Sequence, residues 1–227
     1  MGVVISKPAI NLREQLTELK AQQGYEERQF HFDNLVTNGT FDTDTDWTKG
    51  TGWTINTTTG KAVHTQASGA GRLSQQYDGF EVGKVYRLTA TIDTTGDLSL
   101  ANTAASFRTT DNTSDLAVVS NFSGDIVADT ENNIEVFWTA NATSALVHFY
   151  SNDDVTIDNV SVYTSDGTDV AFTMPKGWKP LHVYDDGVLQ REGSAEDYEV
   201  TFDGFNYYVK PTVANPGARN TVIGVRA

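Results

Sequence analysis

The chain has 227 residues, with 30 acidic against 16 basic side chains, a formal net charge of −14, 38% hydrophobic residues and no cysteine. The missing cysteine excludes disulfides, thiolate metal sites and cysteine nucleophiles, and the acidic excess opposes sequence-neutral nucleic-acid binding, which needs the reverse. No apolar run approaches the roughly 18 residues needed to span a bilayer, and Met1–Lys7 lacks the apolar core of a secretory leader.

The charge divides the chain unevenly. Residues 1–31 carry four basic and four acidic groups, residues 32–173 six and nineteen, and residues 174–227 six and seven. Together with the pattern shifts below, this predicts three units: an N-terminal arm and helix (1–31), a β-sandwich (32–173) and a small β-module (174–227). An acidic surface of this kind is well hydrated and self-repelling; one or two of its carboxylates are also candidates for cation binding.

Met1–Ser6 formally fits the N-myristoylation pattern, but the plainer reading is an apolar arm, Val3–Ile5, that pairs with a partner strand or groove. Residues 10–23 read as the one good helix. Leu12, Leu16 and Leu19 fall at i, i+4 and i+7, with Ile10 near the same side. Asn11 and Glu14 have capping-box spacing, and Gly24 suits a left-handed C-terminal cap. A helix of about 14 residues is marginal alone, so the stripe is expected to be buried. It either folds back on its own β-domain or docks on another chain, and its terminal position favours docking. A homo-oligomer follows from that need.

From Phe32 to Thr164 the period changes to two. Strands are predicted at Trp53–Thr58, Ala62–Thr65, Arg72–Tyr77, Lys84–Asp93, Ala104–Thr109, Ile126–Val127, Ile134–Thr139, Ala145–Ser151 and Val155–Val162. Tyr86, Leu88, Ala90 and Ile92 alternate with Val85, Arg87, Thr89 and Thr91, which puts the first set in the core. Many short strands at this spacing imply two packed antiparallel sheets.

Asn34–Asp42 (NLVTNGTFD) is followed by Trp47 and Trp53, then Leu73-Ser-Gln75, Val82–Leu88 (VGKVYRL) and Val155–Val162 (VTIDNVSV). That series resembles the jelly-roll carbohydrate-binding modules of glycoside hydrolases, in the galactose-binding-like superfamily. The stretch between Asp93 and Phe122 departs most from the family pattern. The resemblance implies a structural Ca²⁺ held by oxygen ligands. Asp42 and Asp158 are the matching side chains, with a carbonyl near Asn38 or Thr40. The run Asp42–Asp46 is not an EF-hand, because Trp47 and Trp53 stand where the glycine and the final acid belong. Sugar binding would use aromatic platforms. Trp47, Trp53, Tyr77, Trp138 and Tyr150 are candidates by type, although aromatic rings are also the natural core of such a sandwich.

Met174–Pro180, with two prolines and a glycine, reads as a linker. Beyond it, Asp185-Asp186-Gly187 and Asp203–Asn206 predict two hairpins, Asn215-Pro216-Gly217 a turn and Thr221–Arg226 a last strand. About 50 residues are near the lower limit for folding alone. The series Val183–Leu189, Asp197–Val200 and Asn215-Pro-Gly resembles a recurrent β-module of tailed-bacteriophage fibre and appendage proteins. Ser6–Leu16 likewise resembles the opening of some phage virion proteins.

His31, His64, His148 and His182 are scattered, without metalloprotease spacing, and no nucleophile elbow or phosphate loop is present. With no catalytic motif, and as the resemblance of both flanking segments to phage proteins implies, the chain is read as a non-enzymatic structural virion protein on the particle surface. It is a capsid decoration (head fibre) or tail-fibre appendage, with major capsid or neck and tail proteins as partners. The resemblance to fibre proteins implies a trimer as the favoured assembly. The alternative is a carbohydrate-binding module for host glycans.

Overall fold

The structure is a computed structural model that describes residues 27–94, 103–120, 131–165, 170–212 and 220–226. The strands in chain order are β1 (Glu27–His31), β2 (Thr48–Lys49), β3 (Trp53–Asn56), β4 (Lys61–His64), β5 (Gly71–Tyr77), β6 (Val85–Thr94), β7 (Ala104–Arg108), β8 (Asp115–Ser120), β9 (Asn132–Thr139), β10 (Ala145–Ser151), β11 (Val155–Ser165), β12 (Phe172–Thr173), β13 (Trp178–Asp185), β14 (Val188–Leu189), β15 (Tyr198–Phe202), β16 (Tyr207–Pro211) and β17 (Asn220–Arg226). Among the described residues a single 3₁₀ turn spans Gln66–Ser68. Among the described residues no helix is long and apolar enough to cross a membrane. The helix expected over 10–23, with Ile10, Leu12, Leu16 and Leu19, lies outside the described residues. So do the arm Val3–Ile5, the strand at Ile126–Val127 and the turn Asn215–Gly217.

Two five-stranded antiparallel sheets face each other, β2-β5-β10-β7-β8 and β3-β4-β11-β6-β9. Period-two alternation supplies the core between them. Leu88 lies between Val162 and Val136 in register, and Phe149 between Leu73 and Ala105 of the other sheet. All of these are buried, as are Tyr86, Ala90 and Ile92, the inward set expected on β6. Phe80 fills one end of the core. Its ring meets Tyr77, Tyr86, Phe107 and Trp138 edge-on at 4.8–5.9 Å, and each fully buried ring of this kind contributes about 1.5–3 kcal/mol by area removed from water.

Hydrogen bonds tie the recognisable sequence motifs together. The Asn34 side-chain carbonyl accepts the Val162 N–H at 2.9 Å, and Val162 O accepts the Leu35 N–H at 3.0 Å. The Gly39 carbonyl accepts the Val160 N–H at 2.9 Å. Gln75 clasps Thr37 in both directions at 2.8 Å, and the Trp47 indole donates to Asn38 O at 3.0 Å. The opening segment is thus closed onto the last strand of the sandwich and onto β5.

A second unit combines sheet β1-β17-β13-β14 with sheet β12-β16-β15. Its core holds Tyr163, Phe172, Met174, Trp178, Val183, Tyr198, Val209 and Val222, with Phe30 and Phe32 packed against it. The boundaries expected at 31/32 and 173/174 are therefore redrawn. β1 pairs with β17 over its whole length, and β12 pairs with β16, so residues from both sides of the sandwich complete the C-terminal module. A core this small gains strands by recruiting flanking chain. The linker reading of Met174–Pro180 is also corrected. Met174 and Trp178 are buried and Pro180 lies inside β13, paired with Gly224. The register shifts immediately after it, between Pro180 and His182, and such an irregularity is where a sheet tolerates proline.

Candidate functional site

Because Leu73, Val147, Phe149, Ala105 and Phe107 point into the core, their neighbours point out of the sheet. Arg72, Ser74 and Gln76 of β5 stand opposite Tyr150, His148 and Leu146 of β10. Those in turn face Ala104, Ser106 and Arg108 of β7. On this outer face a cleft of about 490 Å³ opens between Thr48, Gly50, Thr51, Ala70, Gly71, Arg72, Ser74, Asn112 and Tyr150. Its wall requires close backbone approach: a Cβ on Gly71 would stand 1.7 Å from the Thr51 carbonyl oxygen, so only glycine fits there. The half-buried Tyr150 ring supplies an apolar surface, and the surrounding groups are hydroxyls, an amide and a guanidinium.

Among the described residues, no Asp or Glu lines the cleft. Elsewhere in residues 32–173, basic side chains are matched with carboxylates: Lys49 with Asp44, Lys61 with Glu131, Lys84 with Glu81, Arg87 with Glu135 and Arg108 with Asp115. Arg72 is the remaining basic residue of that segment. Among the described residues its exposed side chain has no ion pair.

A polar network floors the same face. Arg108 Nη1 donates to Asp115 at 2.6 Å, and the Ser106 hydroxyl donates to the same oxygen at 3.0 Å. With its proton committed there, Ser106 Oγ accepts from His148 Nδ1 at 3.1 Å, which places the imidazole proton on Nδ1. Burial, reinforced by Arg108, pushes the His148 pKa down to about 4, so the ring is neutral at physiological pH. Burial acts upward on Asp115, but the Arg108 and Ser106 hydrogen bonds leave its carboxyl below the ordinary range. Arg108 also donates through Nε to Asn112 Oδ1 at 2.6 Å and through Nη2 to Asn112 O at 3.0 Å. This double hold engages both oxygens of Asn112, whose backbone has a positive φ of 59° and which lines the cleft.

The aromatic candidates separate by burial. Trp47, Trp53 and Trp138 are 6%, 4% and 3% exposed and belong to the core. This corrects their reading as sugar platforms, because an interior ring has no open face. Tyr77 is half-buried against Phe80. It lines a smaller cavity of about 180 Å³, with Asp33, Glu81 and Lys84, where the sandwich meets the second unit. Tyr150 alone of the five lines the open cleft. Arg72, Ser74 and Asn112 were not singled out by sequence; the signal that could have found the first two is period two along β5, which sets Arg72 and Ser74 on the face opposite Leu73.

Asp42 and Asp158 are close enough to interact. Burial raises the Asp158 carboxyl above its usual range, the Asn159 N–H and Lys61 oppose that rise, and Glu131 and then Asp42 add to it. The Thr40 hydroxyl donates to Asp42 at 2.6 Å. A Cβ on Gly60 would lie 3.0 Å from Thr40 O and 3.9 Å from Asp42 Oδ1, so a carbonyl and a carboxylate converge beside that glycine. Among the described residues no group of three or more His, Asp or Glu side chains is placed to hold a metal. A cation here would need backbone carbonyls as well, and the hard oxygen donors present suit Ca²⁺.

No family model matches the sequence, and no curated protein matches it. Several solved structures are similar in part, three of them as follows. The enzymatically active domain of tailspike protein 4 from bacteriophage CBA120 has 19% identity and a TM-score of 0.42, covering 58% of this chain and 21% of that one. The CBM22-1–GH10 modules of Clostridium thermocellum xylanase 10B, complexed with xylohexaose, have 16% identity and a TM-score of 0.36, covering 60% and 28%. The family 11 carbohydrate-binding module of the Clostridium thermocellum cellulase Lic26A-Cel5E has 10% identity and a TM-score of 0.30, covering 62% and 88%. The chain thus spans less than a third of the first two.

Proposed function

We propose that the sandwich is a jelly-roll glycan-binding module, borne by a surface component of a tailed-phage particle. The observation that carries the binding role is the cleft on the outer face of β5 and β10. There one tyrosine ring, Tyr150, stands among neutral donors and acceptors and one guanidinium, the mixture that sugar recognition uses: an apolar ring face plus a few placed polar groups. No catalytic step is assigned to it. A glycan array with the full chain tests the reading. Saccharide binding that is lost with Tyr150→Ala supports it, and a folded protein that binds no saccharide overturns it.

Attachment to the particle is the second part of the proposal, and it rests on the sequence resemblance and on one structural observation. The second unit exposes apolar side chains on its hairpins, with Phe205 at 76%, Val188 at 66%, Phe202 at 55% and Leu189 at 54%. Such surface suits contact with capsid, neck or tail proteins or with further copies in a trimer. Residues 1–31, with Ile10, Leu12, Leu16 and Leu19, are proposed as the fastening segment of a head fibre or tail appendage. Unchanged incorporation into virions after deletion of residues 1–24 overturns that role.

The proposal extends to a Ca²⁺ ion at Asp42 and Asp158, with the Thr40 carbonyl as a further donor. It would brace the opening segment against β11, away from the cleft.

A further inference from the structure

We infer that the cleft selects acidic saccharides, such as those carrying a uronic or sialic acid, through the Arg72 guanidinium. The inference rests on the glycan-binding reading and names the class of ligand for that same site. Three observations carry it. First, the surrounding segment has nineteen acidic residues, yet among the described residues no carboxylate side chain lines the cleft. Second, Arg72 is the basic residue of that segment left without a carboxylate partner among the described residues, and it stands directly across from Tyr150 in the β5–β10 register. A ring lying on Tyr150 therefore presents its substituents to a planar fork of donors whose geometry matches a carboxylate. Third, Arg108 already donates to Asn112 Oδ1, so the Asn112 side chain at the same wall has its acceptor partly committed and two N–H donors besides. Donors without a competing carboxylate favour a ligand that brings the acceptor charge.

The strongly negative net charge does not reverse this. At physiological salt the screening length is about 8 Å, so a bound carboxylate responds mainly to Arg72 and its immediate neighbours. The nearby His148 ring is neutral and Arg108 is already compensated by Asp115.

The test compares matched glycans: oligogalacturonate with its methyl ester, and a sialylated oligosaccharide with its desialylated form. Titration calorimetry uses the full chain, Arg72→Gln and Arg72→Lys, each checked for an unchanged melting temperature. Binding of at least one acidic member about tenfold tighter than its neutral partner is expected, as a charge-assisted hydrogen-bonded pair warrants. Arg72→Gln equalises the pair and Arg72→Lys retains only part of the preference. Equal binding of acidic and neutral members, or a preference that survives Arg72→Gln, overturns the inference and leaves the glycan reading standing. No binding of either class on these probes and on a broad array overturns both.

Discussion

Phe30 of β1 meets Trp178 of β13 edge to face, with ring centroids 5.2 Å apart at 73°. The contact joins the first described strand to the C-terminal unit, and Phe32 stacks on Phe172 at 5.1 Å beside it. A chain beginning at residue 33 therefore loses β1 and both rings. It is expected to lose the second unit's cooperative unfolding while the sandwich still melts as one. Phe30→Ala in the full chain costs roughly 2 kcal/mol or more. Calorimetry that finds the second unit unaffected in both variants refutes this account of its core.

Burial of the tryptophans sets a spectroscopic expectation. Saccharides entering the cleft leave Trp47, Trp53 and Trp138 untouched, so tryptophan emission changes little on binding. Tyr150→Ala lowers affinity at least tenfold, as loss of an aromatic stacking face implies, while the half-exposed position keeps the melting temperature within a few degrees. Trp138→Ala does the opposite, destabilising by about 3–5 kcal/mol. Strong quenching on saturation with ligand contradicts the assignment of the cleft.

His148 gives a pH signature. Its folded pKa is about 4, against 6.5 for an ordinary imidazole. Between these values the unfolded chain binds a proton that the folded chain excludes, so the His148 contribution is intact above about pH 6.5 and is lost as pH falls toward 4. The full loss is roughly 3 kcal/mol. Chemical denaturation from pH 7 to pH 4 is expected to show this decline, and His148→Gln to flatten it. An unchanged slope in the variant removes His148 as its source.

The raised Asp158 carboxyl sets the expectation for calcium. A group whose folded pKa is raised is stabilising while protonated and loses that contribution as pH rises through the folded pKa, so near neutrality the ionised Asp158 costs stability, chiefly through its burial and less through Glu131 and Asp42. A divalent cation relieves that cost. Millimolar Ca²⁺ is expected to raise the melting temperature by several degrees, chelator to reverse it, and Asp158→Asn to abolish the response. A melting curve indifferent to both Ca²⁺ and chelator removes the ion from Asp42 and Asp158.

Alternation in the sequence determined the inward set of β6 and the strands at Ala145–Ser151 and Tyr198–Phe202, because side-chain period alone decides which face is wet. The strand β8 (Asp115–Ser120) was not legible. It lies in the stretch that departs from the family pattern, and only its pairing with β7 reveals it. The type of residue suggested five aromatic platforms, but type carries no information on burial, and packing put three of them inside.

What the sequence determined by itself is therefore local: acidity, the absence of thiol chemistry, strand periodicity and the turns. The tertiary structure decided which distant segments meet. It placed Glu27–His31 on β17 and brought Arg72, Asn112 and Tyr150 to one wall. Among the described residues it also left that wall free of carboxylates, in a chain rich in them. Such arrangements depend on strand order and register across the sheet, and pairing energies between remote strands are not written in any short window of residues.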